Sequence, residues 1–301
     1  MKNNNLAPII LFVYNRYNTL AKVIKSLKLN NLSKKSELHI FSDGPKNDID
    51  NIQILNIRLF LKKICGFKKI IIYESPRNLG LSDNIITGVT KILNKYNKAI
   101  IIEDDIEVSK YFLEYMNQAL NIYKNDTNVA SIHGYQYPIS FPKQFPANFF
   151  LRGADCWGWA TWKRAWKFFE RDSSKLYIKI KSDSKLTKEF NYGNSYNFLK
   201  MLDNQSKGKI NSWAIRWYAS AFLNNLYTLY PKKSYVNNLG FDNKSTHSNN
   251  FFFYNSKLKI LKKKMNRIEI KENSFFRKEL ENFFRKQKWL RFIRFIKYKI
   301  F

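Results

Sequence analysis

Lys98–Val108 reads KAIIIEDDIEV, and this stretch decides the fold. Ala99-Ile100-Ile101-Ile102 is a short apolar run rich in β-branched residues, the pattern of a strand buried on both faces. Three carboxylates follow without a gap: Glu103, Asp104 and Asp105. Acidic groups crowded at the end of a buried strand repel one another and lose hydration, so a positive charge is needed beside them. A divalent cation held by hard oxygen ligands meets that need. A turn whose acids face water is the simpler alternative. In an open α/β sheet, ligands bind at the carboxyl ends of the strands, where this triplet falls.

The same pattern repeats upstream. Pro8–Tyr14, PIILFVY, predicts a first strand, broken by Asn15-Arg16-Tyr17-Asn18. Thr19 is placed to cap a helix running through Leu20, Val23, Ile24 and Leu27. Leu38–Phe41 predicts a strand ending in the turn Ser42-Asp43-Gly44-Pro45, and a helix with Ile54, Ile57, Leu61 and Ile64 follows. Ile70–Tyr73 predicts another strand, leading through Ser75-Pro76-Arg77-Asn78-Leu79-Gly80-Leu81 into a helix over Ser82–Tyr96. Beyond the triplet a helix carries Phe112, Tyr115, Met116 and Leu120. Strands alternating with helices predict an α/β fold, a mostly parallel, doubly wound sheet with helices on both faces.

The 301 residues suffice for one large α/β domain or a domain with an appendage. Hydrophobic residues make up 45%, enough for a core, which excludes wholesale disorder. Lys+Arg outnumber Asp+Glu by 53 to 23, a net charge of +30 that implies an anionic partner. Two cysteines, Cys65 and Cys156, cannot form a disulfide framework, and a reducing compartment is the natural reading. The N-terminal stretch lacks the long apolar region and cleavage site of a signal peptide, and no run approaches a membrane span. The expectation is a cytoplasmic protein, peripheral on the inner face of the cytoplasmic membrane.

From about Ala130 the texture changes. Pro138, Pro142 and Pro146 interrupt a Phe- and Tyr-rich region, and Arg152–Trp166, RGADCWGWATWKRAW, holds four of the seven tryptophans. Trp159, Trp162 and Trp166 stand three and four apart, a helical stripe facing a core, whereas Trp157 suits an acceptor sugar ring. The last residues mix apolar and basic side chains. Trp289, Ile293, Ile296 and Ile300 share one helical face, with Lys288, Arg291 and Arg294 largely opposite, as in a helix lying on an anionic membrane. A helix packed on the main domain is the alternative. No nucleic-acid module is recognisable, so nucleic acid is not an expected partner.

Polar groups recur at the carboxyl ends of the candidate strands: Asn15 and Arg16, Asp43, Arg77 and Asn78, then Glu103-Asp104-Asp105. In a parallel sheet they converge on one crevice, where Arg suits a diphosphate and Asp suits the donors of a base or ribose. No Gly-rich phosphate loop follows the first strand, which argues against P-loop and dinucleotide-binding enzymes.

This ordered set resembles a GT-A-fold glycosyltransferase using a nucleotide-sugar donor. The triplet followed by Ile106-Glu107-Val108 resembles the N-acetylglucosaminyltransferase I type. Arg152–Trp159 and Gly240-Phe241-Asp242 to Thr246-His247 resemble family-2-like bacterial transferases that build surface polysaccharides. The resemblance spans about Pro8 to His247. It implies that Asp105 ligates Mn²⁺ or Mg²⁺, with His247 reaching the metal or diphosphate. It implies that Glu103 and Asp104 contact ribose, sugar or metal-bound water, that Asp43 reads a uracil-type base, and that Arg16, Arg77, Asn78 and Asn84 help hold the nucleotide.

The catalytic base does not carry over. Where the relatives place an aspartate before a tryptophan, this chain has Asn211-Ser212-Trp213-Ala214. Asp155 and Asp242 are the carboxylates nearest the other matching motifs and are the nominees, against simple roles in turns. The expected organisation is a GT-A-like domain over 1–255, its nucleotide-binding half 1–125 and acceptor-binding half 126–255, then a basic tail over 256–301. The expected activity is metal-dependent, inverting sugar transfer from a nucleotide-diphosphate sugar, UDP-sugar favoured, to a lipid-linked or lipopolysaccharide- or capsule-type glycan. A sugar nucleotidyltransferase and a catalytically degenerate glycan- or membrane-binding module are the alternatives.

Overall fold

The computed structural model describes residues 6–240, 258 and 264–300. Strands form where the apolar runs lie: β1 (Ile9–Val13), β2 (Glu37–Ser42), β3 (Lys69–Glu74) and β4 (Lys98–Glu103). They pair in parallel in the order β3-β2-β1-β4. The register aligns Val13 with Ser42, Ser42 with Glu74, and Phe12 with Glu103. The polar residues that end these strands therefore stand at nearly one height. All five residues of β1 are buried, as befits a central parallel strand.

The second half completes the sheet. Its strands are β6 (Val129–His133), β7 (Asn148–Arg152), β8 (Trp159–Trp162) and β9 (Tyr227–Pro231). β8 inserts antiparallel between β4 and β6, β9 runs parallel to β6, and β7 closes the edge antiparallel. The sheet is thus mixed but mostly parallel, since only β7 and β8 oppose the other strands. Beside it, β5 (Ile106–Val108) and β10 (Val236–Asn238) pair as an antiparallel ribbon.

Strand periodicity divides the core. Ile9, Leu11 and Val13 face α1 (Tyr17–Lys28), α2 (Asp48–Lys62) and α4 (Phe112–Ile122). Ile10 and Phe12 face α3 (Leu81–Tyr96) and α9 (Trp213–Leu223). Helices on both faces bear out the predicted class. A third cluster gathers α6 (Ser173–Lys181), α7 (Ser184–Phe190) and α8 (Phe198–Ser206) around Phe149 and Phe276. Phe276, Leu280 and Phe284 belong to the last described helix, α10 (Ser274–Ile300), after α5 (Lys163–Trp166) in the middle of the chain. The segment leading into α10 is tied to β7, where Asn273 N donates to the Phe150 carbonyl at 2.9 Å.

Two local expectations are corrected. Thr19 caps nothing: α1 already begins at Tyr17, and Thr19 Oγ1 donates to the Arg16 carbonyl at 3.2 Å. The chain turns helical directly after Arg16, whose guanidinium is held by Asp104 and Asp105, so Thr19 lies inside the first turn. The tryptophan stripe is not helical. Trp159 and Trp162 lie on β8, where a spacing of three puts them on opposite faces, and they enter different core clusters. Aromatic residues suit a strand held between two others, and that tertiary position overrides the helical spacing. Trp162 and Trp166 are nonetheless core residues, as expected.

Candidate active site

Glu103 ends β4, and Asp104 and Asp105 form the turn into β5. Asp104 and Asp105 are 4% and 9% exposed. Their countercharge is Arg16, at the end of the loop after β1, with its guanidinium 2.6 Å from Asp105 Oδ2 and 3.7 Å from Asp104 Oδ1. Tyr14 N donates to Asp104 Oδ2 at 3.0 Å. Among the described residues, one cation pairs with this cluster of three carboxylates, which leaves the cluster under-neutralised. Burial, then Asp105 and Asp104, push Glu103 up to about 8. Burial raises Asp104 to about 6 against the pull of Arg16.

Asp43 follows β2 and is 4% exposed. Its Oδ1 accepts from Gly44 N at 2.9 Å and Leu79 N at 2.8 Å, and its Oδ2 accepts from Gly80 N at 3.0 Å. Asn78 Nδ2 donates back to the Gly44 carbonyl at 2.8 Å. Gly44 lies so close under Arg77 that a Cβ there would collide with the Arg77 backbone. Arg58 on α2 donates to the carbonyls of Ser75 at 2.6 Å and Asp43 at 3.3 Å, fastening the two loops together.

These loops wall a cleft lined by Tyr14, Arg16, Asp43, Asn78, Asn84, Glu103 and Asp104, among others. Asn84 projects from the first turn of α3 and is 6% exposed. Arg77 is exposed and does not line the cleft. Lys46 and Tyr14 do line it and carried no signal in the sequence. The Tyr14 hydroxyl and Asn15 Nδ2 both donate to Asp50 on α2, so the loop after β1 is anchored from a helix distant in sequence.

β10 delivers the later motif to the triplet. Asn238 pairs with Ile106, and Leu239 N donates to the Asp105 carbonyl at 2.7 Å. A Cβ on Gly240 would collide with Asp105 Oδ2. Asp242 and His247 lie outside the described residues, but the chain reaches Gly240 directly over Asp105.

Asp155 lies after β7, beside the rings of Tyr137 and Tyr230. Its Oδ2 accepts from the Tyr137 hydroxyl at 3.0 Å and the Tyr230 hydroxyl at 3.4 Å, and its Oδ1 from Cys156 N at 2.8 Å. His133, the last residue of β6, places Nδ1 3.8 Å from Asp155 Oδ2, and its Nε2 accepts from Trp157 N at 3.2 Å. Burial, then Asp155, Glu103 and Asp105, raise the Cys156 thiol well above its usual range. The Trp157 ring is half-buried against Tyr135, centroids 4.7 Å apart. At Asn211-Ser212, Ser212 caps α9 and Asn211 Oδ1 accepts from Arg216 at 3.4 Å, so no carboxylate stands there.

The sequence profile described as Glycosyl transferase family 2 matches residues 9–184, from the start of β1 through α6. The chain belongs to glycosyl transferase family 2. Of the readings set out above, this membership selects a transferase of the GT-A type that draws on nucleotide-sugar donors. Among solved structures, this family 2 transferase overlaps the crystal structure of S. aureus TarS with a TM-score of 0.44 and 11% identity, covering 77% of this chain and 36% of that one. TarS 1–349 gives 0.42 and 11%, covering 78% and 61%. The mannosyltransferase PcManGT from Pyrobaculum calidifontis, solved with GDP-Man and Mn²⁺, gives 0.32 and 14%, covering 44% and 39%. The transferase thus spans about a third of the length of the first TarS chain. No curated protein matches the sequence.

Proposed function

We propose that the protein transfers a sugar from a UDP-type nucleotide-diphosphate sugar to a glycan acceptor in a metal-dependent, inverting reaction. The observation that carries this is the contiguous Glu103-Asp104-Asp105 cluster, whose Glu103 and Asp104 line the same cleft as Asp43 and Asn84, with one guanidinium as counterion among the described residues. Asp43 accepts three backbone N–H groups. A carboxylate offers about four acceptor positions, so one remains for the imide N–H of a uracil ring. Asn84 adds an amide for ribose or phosphate, and Arg16 can pass from Asp105 to the incoming diphosphate.

The donor set fits Mn²⁺ or Mg²⁺. Among the described residues, no three metal-ligating side chains converge. An ion on a diphosphate takes one or two carboxylates, with phosphate oxygens and water filling the rest. Asp105, with Asp104 beside it, supplies hard oxygens where Gly240 passes close to Asp105 Oδ2. When bound, the ion neutralises the diphosphate leaving group. His247 is proposed as a further ligand from the segment that follows Gly240. Asp155 is proposed as the base: three donors fix its carboxylate, leaving an acceptor position for the sugar hydroxyl.

A lipid-linked or lipopolysaccharide- or capsule-type acceptor at an anionic membrane face fits the net charge of +30 and the basic, aromatic last helix. The test of the donor site is thermal stability with and without Mn²⁺ against a panel of nucleoside diphosphates and nucleotide-sugars. A ligand present at a hundred times its Kd stabilises the fold by about 2.7 kcal/mol. The expected result is a rise in Tm that needs both metal and a uridine nucleotide and is lost in Asp105→Asn. A panel that moves nothing sinks the proposal.

A further inference from the structure

A further cavity lies between the 191–204 region and α10, lined by Asn194, Tyr196, Lys200, Asn204, Phe284 and Gln287, among others. Gln287 is 5% exposed, and its Oε1, sealed from water, has no hydrogen-bond partner among the described residues. A buried amide left unpaired is costly, and a turn of the Gln287 side chain toward a ligand in the cavity removes the cost. The chemistry of the lining says which ligand. Asn194, Asn204 and Gln287 each carry a donor and an acceptor on one planar group, the complement of adjacent sugar hydroxyls, which also donate and accept. The Tyr196 ring, packed against Phe284 with centroids 5.2 Å apart, adds a flat apolar face beside them. Lys200 is paired with Asp203 at 2.9 Å, and Lys288, exposed on α10, is the other cation of the lining beside these amides.

The cavity is also next to the proposed base. Phe284 packs on the Tyr137 ring, centroids 5.8 Å apart, and the Tyr137 hydroxyl donates to Asp155 at 3.0 Å. Two packed rings, Phe284 and Tyr137, connect the cavity lining to that carboxylate. Resting on the transferase reading above, we propose that this cavity is an acceptor subsite. It holds internal, uncharged sugar residues of an oligosaccharide whose terminal hydroxyl lies at Asp155.

The test is saturation-transfer NMR on the full chain with neutral trisaccharides of glucose, galactose and N-acetylglucosamine, each beside its monosaccharide. At least one trisaccharide should receive saturation more strongly than its monosaccharide. Gln287→Leu, which keeps the volume but not the amide, and Asn204→Ala, at the cavity rim, should each weaken that binding by roughly tenfold. If no trisaccharide binds, or if binding persists unchanged in both variants, the subsite is overturned. The metal- and nucleotide-dependent rise in Tm, read on the same samples, reports the donor site separately. Its absence in the unsubstituted protein would defeat the transferase reading whatever the glycans do. Its presence in the variants shows that they are folded.

Discussion

His133 is a fully buried imidazole that the fold holds neutral. Its Nε2 accepts the Trp157 N–H, which leaves the proton on Nδ1, facing Asp155. Burial lowers its pKa, and Asp155 offsets only part of that. Below the ordinary histidine value near 6.5, the unfolded chain therefore takes up a proton that the folded chain refuses. Stability should fall as pH drops through that value and be indifferent to this residue above it. One proton of difference is worth at most about 1.4 kcal/mol per pH unit. His39 is buried and lowered in the same way, so total acid sensitivity cannot assign the effect. The comparison that does is urea unfolding of wild type and His133→Gln from pH 5 to 8. The wild type should lose stability more steeply below pH 6.5, and parallel curves would show that His133 is not the titrating group. The same variant tests the positioning of Asp155, because its only change near that carboxylate is the group behind it.

At the scale of elements, the site depends on β10 bringing a late segment over an early one. Gly240 has no room for a side chain because Asp105 Oδ2 occupies that space. Gly240→Ala must push the strand end away from the carboxylate. It lies beyond the last residue of β10, so the fold should lose under about 1 kcal/mol, while the metal-dependent nucleotide response should weaken by roughly tenfold or more. Equal nucleotide affinity in the two proteins would show that this approach is unimportant. None of this could be read from sequence, because it is set by the pairing of residues about 130 apart, such as Asn238 with Ile106. Other features were legible for local reasons. β1 and β4 are β-branched runs with polar ends, and a parallel register then brings Asp43, Arg16 and the triplet together without further information. Lys46 and Asp50 stayed hidden because nothing local distinguishes a lysine that lines a cleft, or an aspartate that anchors a distant loop, from any solvated residue at a helix start. The tryptophans misled because spacings of three and four are also what a strand followed by a short helix produces.

At the scale of the molecule, the excess of basic residues and the last helix pose one question: what the basic end of α10 meets. The helix docks through Phe276, Leu280, Phe284 and Gln287, all buried. Trp289 stands half a helical circumference from Leu280, at 100° per residue, and is 62% exposed. Trp289 is therefore not on the face that holds the helix to the domain. Among the described residues no helix is long and apolar enough to cross a membrane. Residues 289–301 carry four basic side chains, Arg291, Arg294, Lys297 and Lys299. At about 1 kcal/mol each near an anionic surface, they supply roughly three decades of partitioning. Co-sedimentation with vesicles of phosphatidylglycerol and phosphatidylcholine should show strong binding that falls as salt rises, and little binding to phosphatidylcholine alone. Deleting residues 289–301 should remove most of it and leave the Tm nearly unchanged, because the packed residues precede the cut. If the shortened protein binds anionic vesicles as well as the full chain, the attraction belongs to the domain's general charge, and the helix end has no anchoring role.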